Sequence, residues 1–378
     1  MLNNKVLQKI LNKYSCAVEN SFELRNPATD GLICSLENKS AKYVQKAIAK
    51  SKQAQVVFKN QSARSKADLL LNWYDLIMQN SDDIAEIITI ESGKPLAESK
   101  GELQYGANFI RWYAEKANRI DGRIFDPNLE NMEGRVDYQP VGVVAAITPW
   151  NFPFAMITRK VAPAIAAGCS VVLKPSELTP LSAFFCRELF IEAGGDEDLF
   201  QIVCGDSKII GKELLENKAV RKITFTGSTR VGKLLMQQAA ESVKKGAKLI
   251  YGGKVDEELG GKFFKPTILD NITDEMLVSC DETFGPLIAI FEFKNEEEVI
   301  ERANNTNYGL ASYFFSEDMA QIRRVRNQLE YGMIGINTGV ISSEKAPFGG
   351  IKESGLGREG SDDGIYEFME AKYSLQSF

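Results

Sequence analysis

The sequence predicts an α/β protein whose first lobe is built on a Rossmann-type parallel sheet. Four short β-rich runs, VGVVAAIT, SVVLKP, FQIVCG and KITFTGS, alternate with helical stretches in the middle of the chain. That alternation is typical of βαβ units in a sheet covered on both faces. At 378 residues the chain also exceeds what one hydrophobic core usually serves, so we expect a second lobe.

The elements before this sheet follow from local patterns. Residues 21 to 36 hold two apolar runs around Asn-Pro-Ala-Thr-Asp-Gly, which predicts a small hairpin. From Lys42 to Asn118 the apolar period is 3.6, with Leu69, Trp73 and Leu76 on one face, which predicts helices. Residues 120 to 140 mix Gly, Pro and Asn with alternating polar and apolar residues, which favours exposed strands forming an inter-subunit arm.

The elements after the sheet form a second, smaller α/β pattern. A helix, GKLLMQQAAESVKK, ends at Lys245, and a Gly-rich charged stretch follows from residue 246 to 264. Strands are then predicted near 287–294, 310–315 and 331–337, and helices near 295–304 and 317–329. This region of about 130 residues is small for an independent domain.

Composition excludes several classes of function. The chain has 45 Lys plus Arg against 51 Asp plus Glu and no basic block, which argues against a nucleic-acid partner. It has no His, which excludes Ser-His-Asp and Cys-His catalysis and His-ligated zinc, and no metal site is predicted. The six cysteines are widely spaced, without a CxxC pair, as in reduced cytosolic proteins. The polar start and the lack of an 18-residue apolar run predict a cytoplasmic chain with no membrane partner.

Two glycine patterns look like phosphate loops but do not fit the known motifs. Gly227 to Lys233 matches G-x-x-x-x-G-K, yet Leu234 stands where a magnesium-binding Ser or Thr is needed. Gly355 to Gly360 matches G-x-G-x-x-G, yet no hydrophobic strand precedes it, so by itself it reads as a flexible loop. A P-loop NTPase is therefore disfavoured.

Two strand ends nevertheless carry groups that suit a dinucleotide. Thr226-Gly227-Ser228 ends one strand and opens a helix, where backbone N–H groups and a hydroxyl could hold a pyrophosphate. Lys174-Pro-Ser-Glu177 ends another strand of the same sheet, and an ammonium beside a carboxylate suits ribose hydroxyls. An ordinary βα turn and a surface turn are the alternative interpretations.

These and other motifs together resemble the aldehyde dehydrogenase superfamily, over roughly residues 21 to 378. The segment around Ala155–Lys160 and the run GINTGVISSEKAPFGGIKESGLGREG resemble the succinate-semialdehyde dehydrogenase branch. The motifs, in family order, are Pro149-Trp150-Asn151-Phe152-Pro153, Lys174-Pro175-Ser176-Glu177, Phe225-Thr226-Gly227-Ser228, Glu282-Thr283-Phe284-Gly285-Pro286 and Pro347-Phe348-Gly349-Gly350.

The resemblance implies a role for each matching residue. Asn151 would donate its amide to the oxyanion of a thiohemiacetal, and Arg159 and Ser342 would anchor the distal carboxylate of succinate semialdehyde. For Arg159 the alternative is a surface charge on a helix. The residues implied to bind the cofactor are Trp150, Lys174, Glu177, Gly227, Ser228, Glu282 and Phe284. The charge of Glu177 favours NAD over NADP, which remains possible.

The resemblance also implies an architecture: an aldehyde dehydrogenase-like fold with a Rossmann-type lobe, an α/β catalytic lobe and a small β oligomerisation element. We expect a cofactor-binding lobe at 1–245 with the arm at about 120–140, a truncated catalytic lobe at 246–365 and an oligomerisation strand at 366–378. The expected partners are a small-molecule aldehyde and, if the chain folds, further copies of itself.

The sequence departs from the family where the catalytic groups belong. The family carries its nucleophile in Gly-Gln-x-Cys and its general base in Glu-Leu-Gly-Gly, both after the helix that ends here at Lys245. We expect neither motif anywhere in this chain, in which QQAAESVKK passes directly into GAKLIYGGK. We therefore expect an internal deletion between Lys245 and Gly246, and an inactive chain with exposed apolar surface and unpaired strand edges.

Three interpretations stay open at this stage. The chain is an NAD(P)-dependent aldehyde dehydrogenase by descent, whose lost nucleophile could be replaced by Cys280, which lies two residues before Glu282. Alternatively, it is a remnant that binds nucleotide or assembles through its arm without catalysis. The third possibility is an incomplete gene product that does not fold stably.

Overall fold

A computed structural model describes residues 5–16, 18–227, 247–259, 262–280 and 282–378, which form two compact units. Unit 1 comprises Met1–Gly227, Ser342–Phe348 and Arg358–Phe378, and unit 2 comprises Ser228–Ile341 and Gly349–Gly357. The predicted helix ending at Lys245 lies outside the described residues. Within them, no helix has the length and apolar character needed to cross a membrane.

Unit 1 begins with helix α1 (Lys5–Tyr14) and an antiparallel hairpin of β1 (Ser21–Arg25) and β2 (Leu32–Glu37). The hairpin was predicted from its turn residues. Asn26 closes that turn, because its backbone N–H donates to the Gly31 carbonyl and its side chain accepts from the Ala28 N–H. The Asn26 side chain thus accepts a backbone N–H inside the turn, where no strand partner is present for it.

Four helices follow, as the 3.6 period predicted: α2 (Ala41–Phe58), α3 (Ala63–Gln79), α4 (Ser81–Ser92) and α5 (Leu96–Ala117). The hydroxyls of Ser40 and Ser62 cap α2 and α3 by accepting the first free N–H groups. Trp73 of α3 is fully buried. Its ring meets Phe190 and Phe200 edge to face, so α3 is fixed against the sheet lobe.

The predicted exposed strands are β3 (Arg123–Phe125) and β4 (Met132–Pro140), which pair antiparallel. They lead into four parallel strands: β5 (Val143–Ile147), β6 (Ser170–Lys174), β7 (Phe200–Ile202) and β8 (Val220–Phe225), in the spatial order β7-β6-β5-β8. Helices α6 (Ala155–Ala167), α7 (Leu181–Glu192) and α8 (Ser207–Glu216) connect them. The parallel βαβ prediction is confirmed.

Strand β8 is the weak edge of this sheet. Among the described residues it pairs only with β5. Ile223 and Phe225 on it are 40% and 64% exposed, whereas all five residues of β6 are buried. Within the part of the chain that the structure describes, one edge of β8 thus has no strand partner and its apolar side chains are exposed.

Unit 2 contains small sheets and short helices. Its strands are β9 (Lys248–Tyr251), β10 (Thr267–Asp270), β11 (Leu287–Ala289), β12 (Tyr308–Gly309), β13 (Ala311–Phe314), β14 (Met333–Ile336) and β15 (Ile351–Lys352). Its described helices are α9 (Leu277–Cys280), α10 (Glu296–Asn304) and α11 (Met319–Gln328). The buried apolar cluster in the described part of this unit consists of four residues, Ala247, Leu269, Ile272 and Met276.

The end of the chain returns to unit 1. A 3₁₀ turn (Asp363–Phe368) precedes β16 (Met369–Ser377), which pairs antiparallel with β4 along its whole length. Ile365 and Phe368 join the main core of unit 1. The C-terminal segment is therefore tied to the parallel-sheet lobe by both apolar packing and strand pairing.

Candidate functional site

A charged cluster lies at the carboxyl end of β6, in the place predicted for ribose recognition. The Lys174 Nζ lies 2.7 Å from Oε1 of Glu177, and the Ser207 hydroxyl donates to the same oxygen at 2.5 Å. The Lys174 side chain is 7% exposed and that of Glu177 is 33% exposed. Such a cluster offers a fixed cation and a carboxylate acceptor at the edge where parallel sheets bind ligands.

Two glycines that follow strands of the parallel sheet approach neighbouring atoms closely. Gly205, at φ +133°, would place a Cβ 2.9 Å from the Asn38 Cα, and Gly227 would place one 2.6 Å from the ring of Phe225. Only Gly fits such close approaches without a shift. Ser228, the other residue predicted to face a pyrophosphate, lies outside the described residues.

The turn that carries Trp150 and Asn151 is held by a buried ion pair that was not predicted from the sequence. Lys94 Nζ lies 2.5 Å from Oε2 of Glu102 and donates to the Asn151 carbonyl at 2.9 Å. Glu102 Oε1 accepts from the N–H groups of Phe154 and Ala155. Glu102 thus caps α6, and Lys94 fixes the backbone of Asn151.

The Asn151 side chain has spare hydrogen-bonding capacity. Its Oδ1 is buried and has no hydrogen-bond partner among the described residues. A buried amide oxygen without a partner costs free energy. This unpaired atom is an acceptor, whereas an oxyanion would need the amide N–H groups of Asn151 as donors.

Arg159 is not a surface charge, which excludes the alternative interpretation of it. Its side chain is fully buried, and Nη2 lies 2.8 Å from Oε2 of Glu359 in an ion pair without hydrogen-bond geometry. The guanidinium lies 3.9 Å from the ring centroid of Phe348. Arg159 Nε has no hydrogen-bond partner among the described residues. The charge of the guanidinium is therefore neutralised by Glu359 within unit 1, but not all of its N–H groups are used in hydrogen bonds.

Lys160 completes this buried group. Its ammonium hydrogen-bonds to Glu359 Oε1 and donates to the Thr226 hydroxyl at 2.6 Å. Burial lowers the pKa of Lys160, and the charge of Glu359 opposes that effect. Burial raises the pKa of Glu359, but the charges of Lys160 and Arg159 outweigh it, so its pKa lies below the ordinary value. Glu359 is a carboxylate shared by two buried cations.

The remaining predicted residues are spread over both units. Ser342 is exposed and belongs to unit 1. Glu282 is exposed and Phe284 is half-buried, and both belong to unit 2. Unit 1 therefore contains the residues implied to bind adenosine and the oxyanion, and unit 2 contains those implied to bind the nicotinamide end.

Most cysteines are core residues without nucleophilic character. Burial raises the pKa of Cys34 and Cys169 to about 11 and that of Cys204 to about 12, and it raises the pKa of Cys186 further. Since the thiolate is the nucleophile, these four thiols are inert at neutral pH. Cys280 is the last residue of α9, and this helix begins directly after Met276, a buried residue of unit 2.

The expectation that neither family motif exists in this chain is wrong for the base motif, because residues 258 to 261 read Glu-Leu-Gly-Gly. Glu258 is exposed, and its N–H donates to the Asp256 carboxylate. The bridge between Val255 and Phe264 places Glu258 in a surface connection of unit 2. Among the described residues, no group of three or more metal-ligating side chains comes together.

Comparisons with known proteins give a consistent picture. The profile of the aldehyde dehydrogenase family matches residues 15–245 and 240–374. A glutarate-semialdehyde dehydrogenase of Pseudomonas aeruginosa is 40% identical over 452 aligned residues, covering 93% of each chain. An NADP(+) succinate-semialdehyde dehydrogenase of Escherichia coli is 38% identical, covering 93% of this chain and 94% of that one. The crystal structure of succinate-semialdehyde dehydrogenase from Burkholderia pseudomallei matches with a TM-score of 0.92 at 36% identity, covering 95% of each chain.

The alignment is interrupted in this chain. The family profile matches in two pieces that meet at residues 240 to 245. Since 93% of 378 residues is about 350, roughly 100 of the 452 aligned positions have no residue from this chain.

Proposed function

The chain belongs to the aldehyde dehydrogenase family, and from this premise we propose that it binds a nicotinamide dinucleotide and no longer oxidises aldehydes. The observation that carries the first half is the Lys174–Glu177 pair at the carboxyl end of β6. The second half rests on the absence of a Gly-Gln-x-Cys nucleophile motif from the sequence and on the direct passage from QQAAESVKK into GAKLIYGGK, where the family carries both catalytic motifs.

The donor set of unit 1 fits the adenosine half of such a cofactor. A ribose diol needs both a donor and an acceptor. Lys174 supplies an ammonium donor and Glu177 a carboxylate acceptor, and the two groups lie in hydrogen-bond contact. Gly227, which follows β8, is the proposed position for the approach of a phosphate group to the backbone. The charge of Glu177 opposes a 2′-phosphate, so we propose NAD rather than NADP as the preferred cofactor.

The cofactor supplies a hydride acceptor, and the protein must then supply a thiolate and a base. Four of the described thiols are buried and protonated at neutral pH. Asn151 is the proposed oxyanion donor, but a donor without a nucleophile has no tetrahedral intermediate to stabilise.

The interrupted alignment supports a deletion between Lys245 and Gly246. The two matched pieces of the family profile join there, and about 100 aligned positions have no counterpart in this chain. A loss at that point removes residues that would follow β8 in the relatives. The free edge of β8 and the exposure of Phe225 are what such a loss would leave.

The second candidate function is aldehyde oxidation itself, favoured by relatives named for succinate and glutarate semialdehyde. In that case a small aldehyde with a distal carboxylate is the substrate class, and Arg159 and Ser342 are its anchors. Arg159 is already paired with Glu359, so an anchor role requires the substrate to compete with that carboxylate.

Calorimetric titration of the purified chain with NAD tests nucleotide binding. We expect saturable binding, and Lys174→Ala should weaken it roughly 10- to 100-fold because a hydrogen bond to a charged group is lost. Lys100→Ala, which removes an exposed lysine paired with Asp82, is the matched control and should leave the affinity unchanged. Equal affinities of wild type and Lys174→Ala would refute the site assignment.

A parallel assay of NADH formation with succinate and glutarate semialdehyde tests the loss of chemistry. We expect no turnover above a no-enzyme blank. Turnover would overturn the proposal, and Cys280→Ser and Glu258→Gln would then identify the groups that replace the nucleophile and base. Binding without turnover supports a nucleotide-binding remnant, whereas the absence of both favours a chain that does not fold stably.

We also propose a cytoplasmic homo-oligomer assembled through the arm of β3, β4 and β16. Large apolar side chains stay exposed on this sheet, and β16 presents a nine-residue strand at its edge. A long unpaired edge carrying apolar side chains favours pairing with another chain. Ile124, Tyr373 and Leu375 are 63%, 56% and 44% exposed.

A further inference from the structure

The carboxylate of Glu177 is held from two sides by residues far apart in sequence. Lys174 Nζ and the Ser207 hydroxyl both bind its Oε1, at 2.7 and 2.5 Å. Its Oε2 accepts no hydrogen bond from the described residues. This arrangement fixes the orientation of the carboxylate and leaves one oxygen free for a ligand hydroxyl.

The Ser207 hydroxyl is not needed to start helix α8. That helix is capped by Asp206, whose Oδ1 accepts from the N–H groups of Lys208 and Ile209 at 2.7 and 3.2 Å. Asp206 already satisfies the helix N-terminus. Removing the Ser207 hydroxyl therefore leaves the helix intact and takes away one of two restraints on Glu177.

Glu177 has space to move when that restraint is lost. It borders a cavity of about 670 Å³ that is also lined by Lys39 and Lys212 and by the carboxylates of Asp206 and Glu213. Asp206 accepts from the N–H groups that start α8, Glu213 accepts from Gln45, and Lys39 pairs with Glu37. Lys212 carries an ammonium group on a flexible stem, which attracts a carboxylate. Without Ser207, Glu177 can turn from the strand end toward this cavity and reduce the negative charge where a 2′-substituent would lie.

We infer that Ser207 is a specificity-determining positioning residue: it holds the Glu177 carboxylate where a free ribose 2′-hydroxyl is accepted and a 2′-phosphate is repelled. The inference rests on the proposed nucleotide-binding function. A carboxylate accepts a hydrogen bond from a hydroxyl, whereas a phosphate facing it adds a second negative charge. Fixing the carboxylate therefore increases the discrimination between NAD and NADP.

The test is a set of calorimetric titrations with NAD and with NADP. In Ser207→Ala we expect NAD affinity to fall about 3- to 10-fold, as for a lost hydrogen bond, and NADP affinity to fall less or to rise. The NAD/NADP ratio therefore decreases. Ser207→Thr, which keeps a hydroxyl, should restore the wild-type ratio. Ser65→Ala, a remote exposed serine bonded to Gln61, should leave both affinities unchanged.

A double-mutant cycle shows whether Ser207 acts through Glu177. In a Glu177→Gln background, Ser207→Ala should no longer change the NAD/NADP ratio. An unchanged ratio in Ser207→Ala, or the same drop in both backgrounds, would overturn the inference while leaving nucleotide binding intact. Failure of the wild-type chain to bind NAD would instead overturn the proposed function.

Discussion

Replacing Glu102 by Ala should be among the most damaging single changes in unit 1. The Glu102 side chain is fully buried, and Lys94 is 13% exposed. Glu102→Ala leaves the Lys94 ammonium without its carboxylate and leaves the N–H groups of Phe154 and Ala155 without an acceptor. Breaking one side of a buried ion pair costs about 3–5 kcal/mol, and we expect a loss of that size in the free energy of unfolding.

The measurement is urea unfolding followed by tryptophan fluorescence and circular dichroism. Glu115→Ala is the matched control, because Glu115 lies on the same helix and pairs with Arg111 while both side chains are more than half exposed. We expect the control to lose only a small fraction of what Glu102→Ala loses. The double change Lys94→Met and Glu102→Gln removes both charges but keeps an acceptor for α6, so it should cost less than Glu102→Ala. A loss below about 1 kcal/mol in Glu102→Ala would refute the assignment of a buried ion pair.

Three further results are expected. Ellman's reagent should react with at most two thiols per native chain and with all six after denaturation, because four are buried; faster labelling of more than two contradicts this. Tyr373→Lys should lower the oligomer mass measured by light scattering, since it puts a charge on the exposed arm; an unchanged mass would exclude the arm as the interface. Burial raises the pKa of Glu91 to about 8 from 4.5, against hydrogen bonds from Ser182 and Leu181. The folded chain then retains a proton that the unfolded chain releases, so this group makes stability fall as the pH rises from about 4.5 to 8. Glu91→Gln should flatten that dependence.

Much of the fold could be predicted because its signals are local. The helices from Ala41 to Ala117 follow from the 3.6 period, and the parallel strands follow from short buried runs between helices. The position of Lys174 and Glu177 at a strand end follows from the same pattern. The local period of apolar residues sets the position of a side chain along its helix or strand. The arrangement of strands in the sheet then sets the sheet edge at which that side chain lies.

The ion pairs of Glu359 could not be predicted in the same way, because its partners are distant in sequence. Glu359 meets Lys160 across 199 positions. Glu102 did carry a local signal, because it stands four and seven residues before the buried Gly106 and Phe109 and so lies on the apolar face of α5. A charge on such a face must find a partner. Likewise, α6 is buried all round, so Arg159 had no route to solvent.

The distribution of buried surface bears on which of the three interpretations survives. The large core of unit 1 joins the helices from α1 to α7 with β5, β6 and the 3₁₀ turn, and it includes no residue after Phe225 until the chain returns near its end. Unit 2, by contrast, has a buried cluster of four residues in its described part and exposes Tyr251, Phe293 and Phe315 at 59%, 56% and 72%. Apolar burial is the main favourable term in folding, so among the described residues the better-stabilised unit is the one that carries Lys174 and Glu177. Under the proposed deletion, nucleotide binding by this unit and aldehyde oxidation are therefore separable properties.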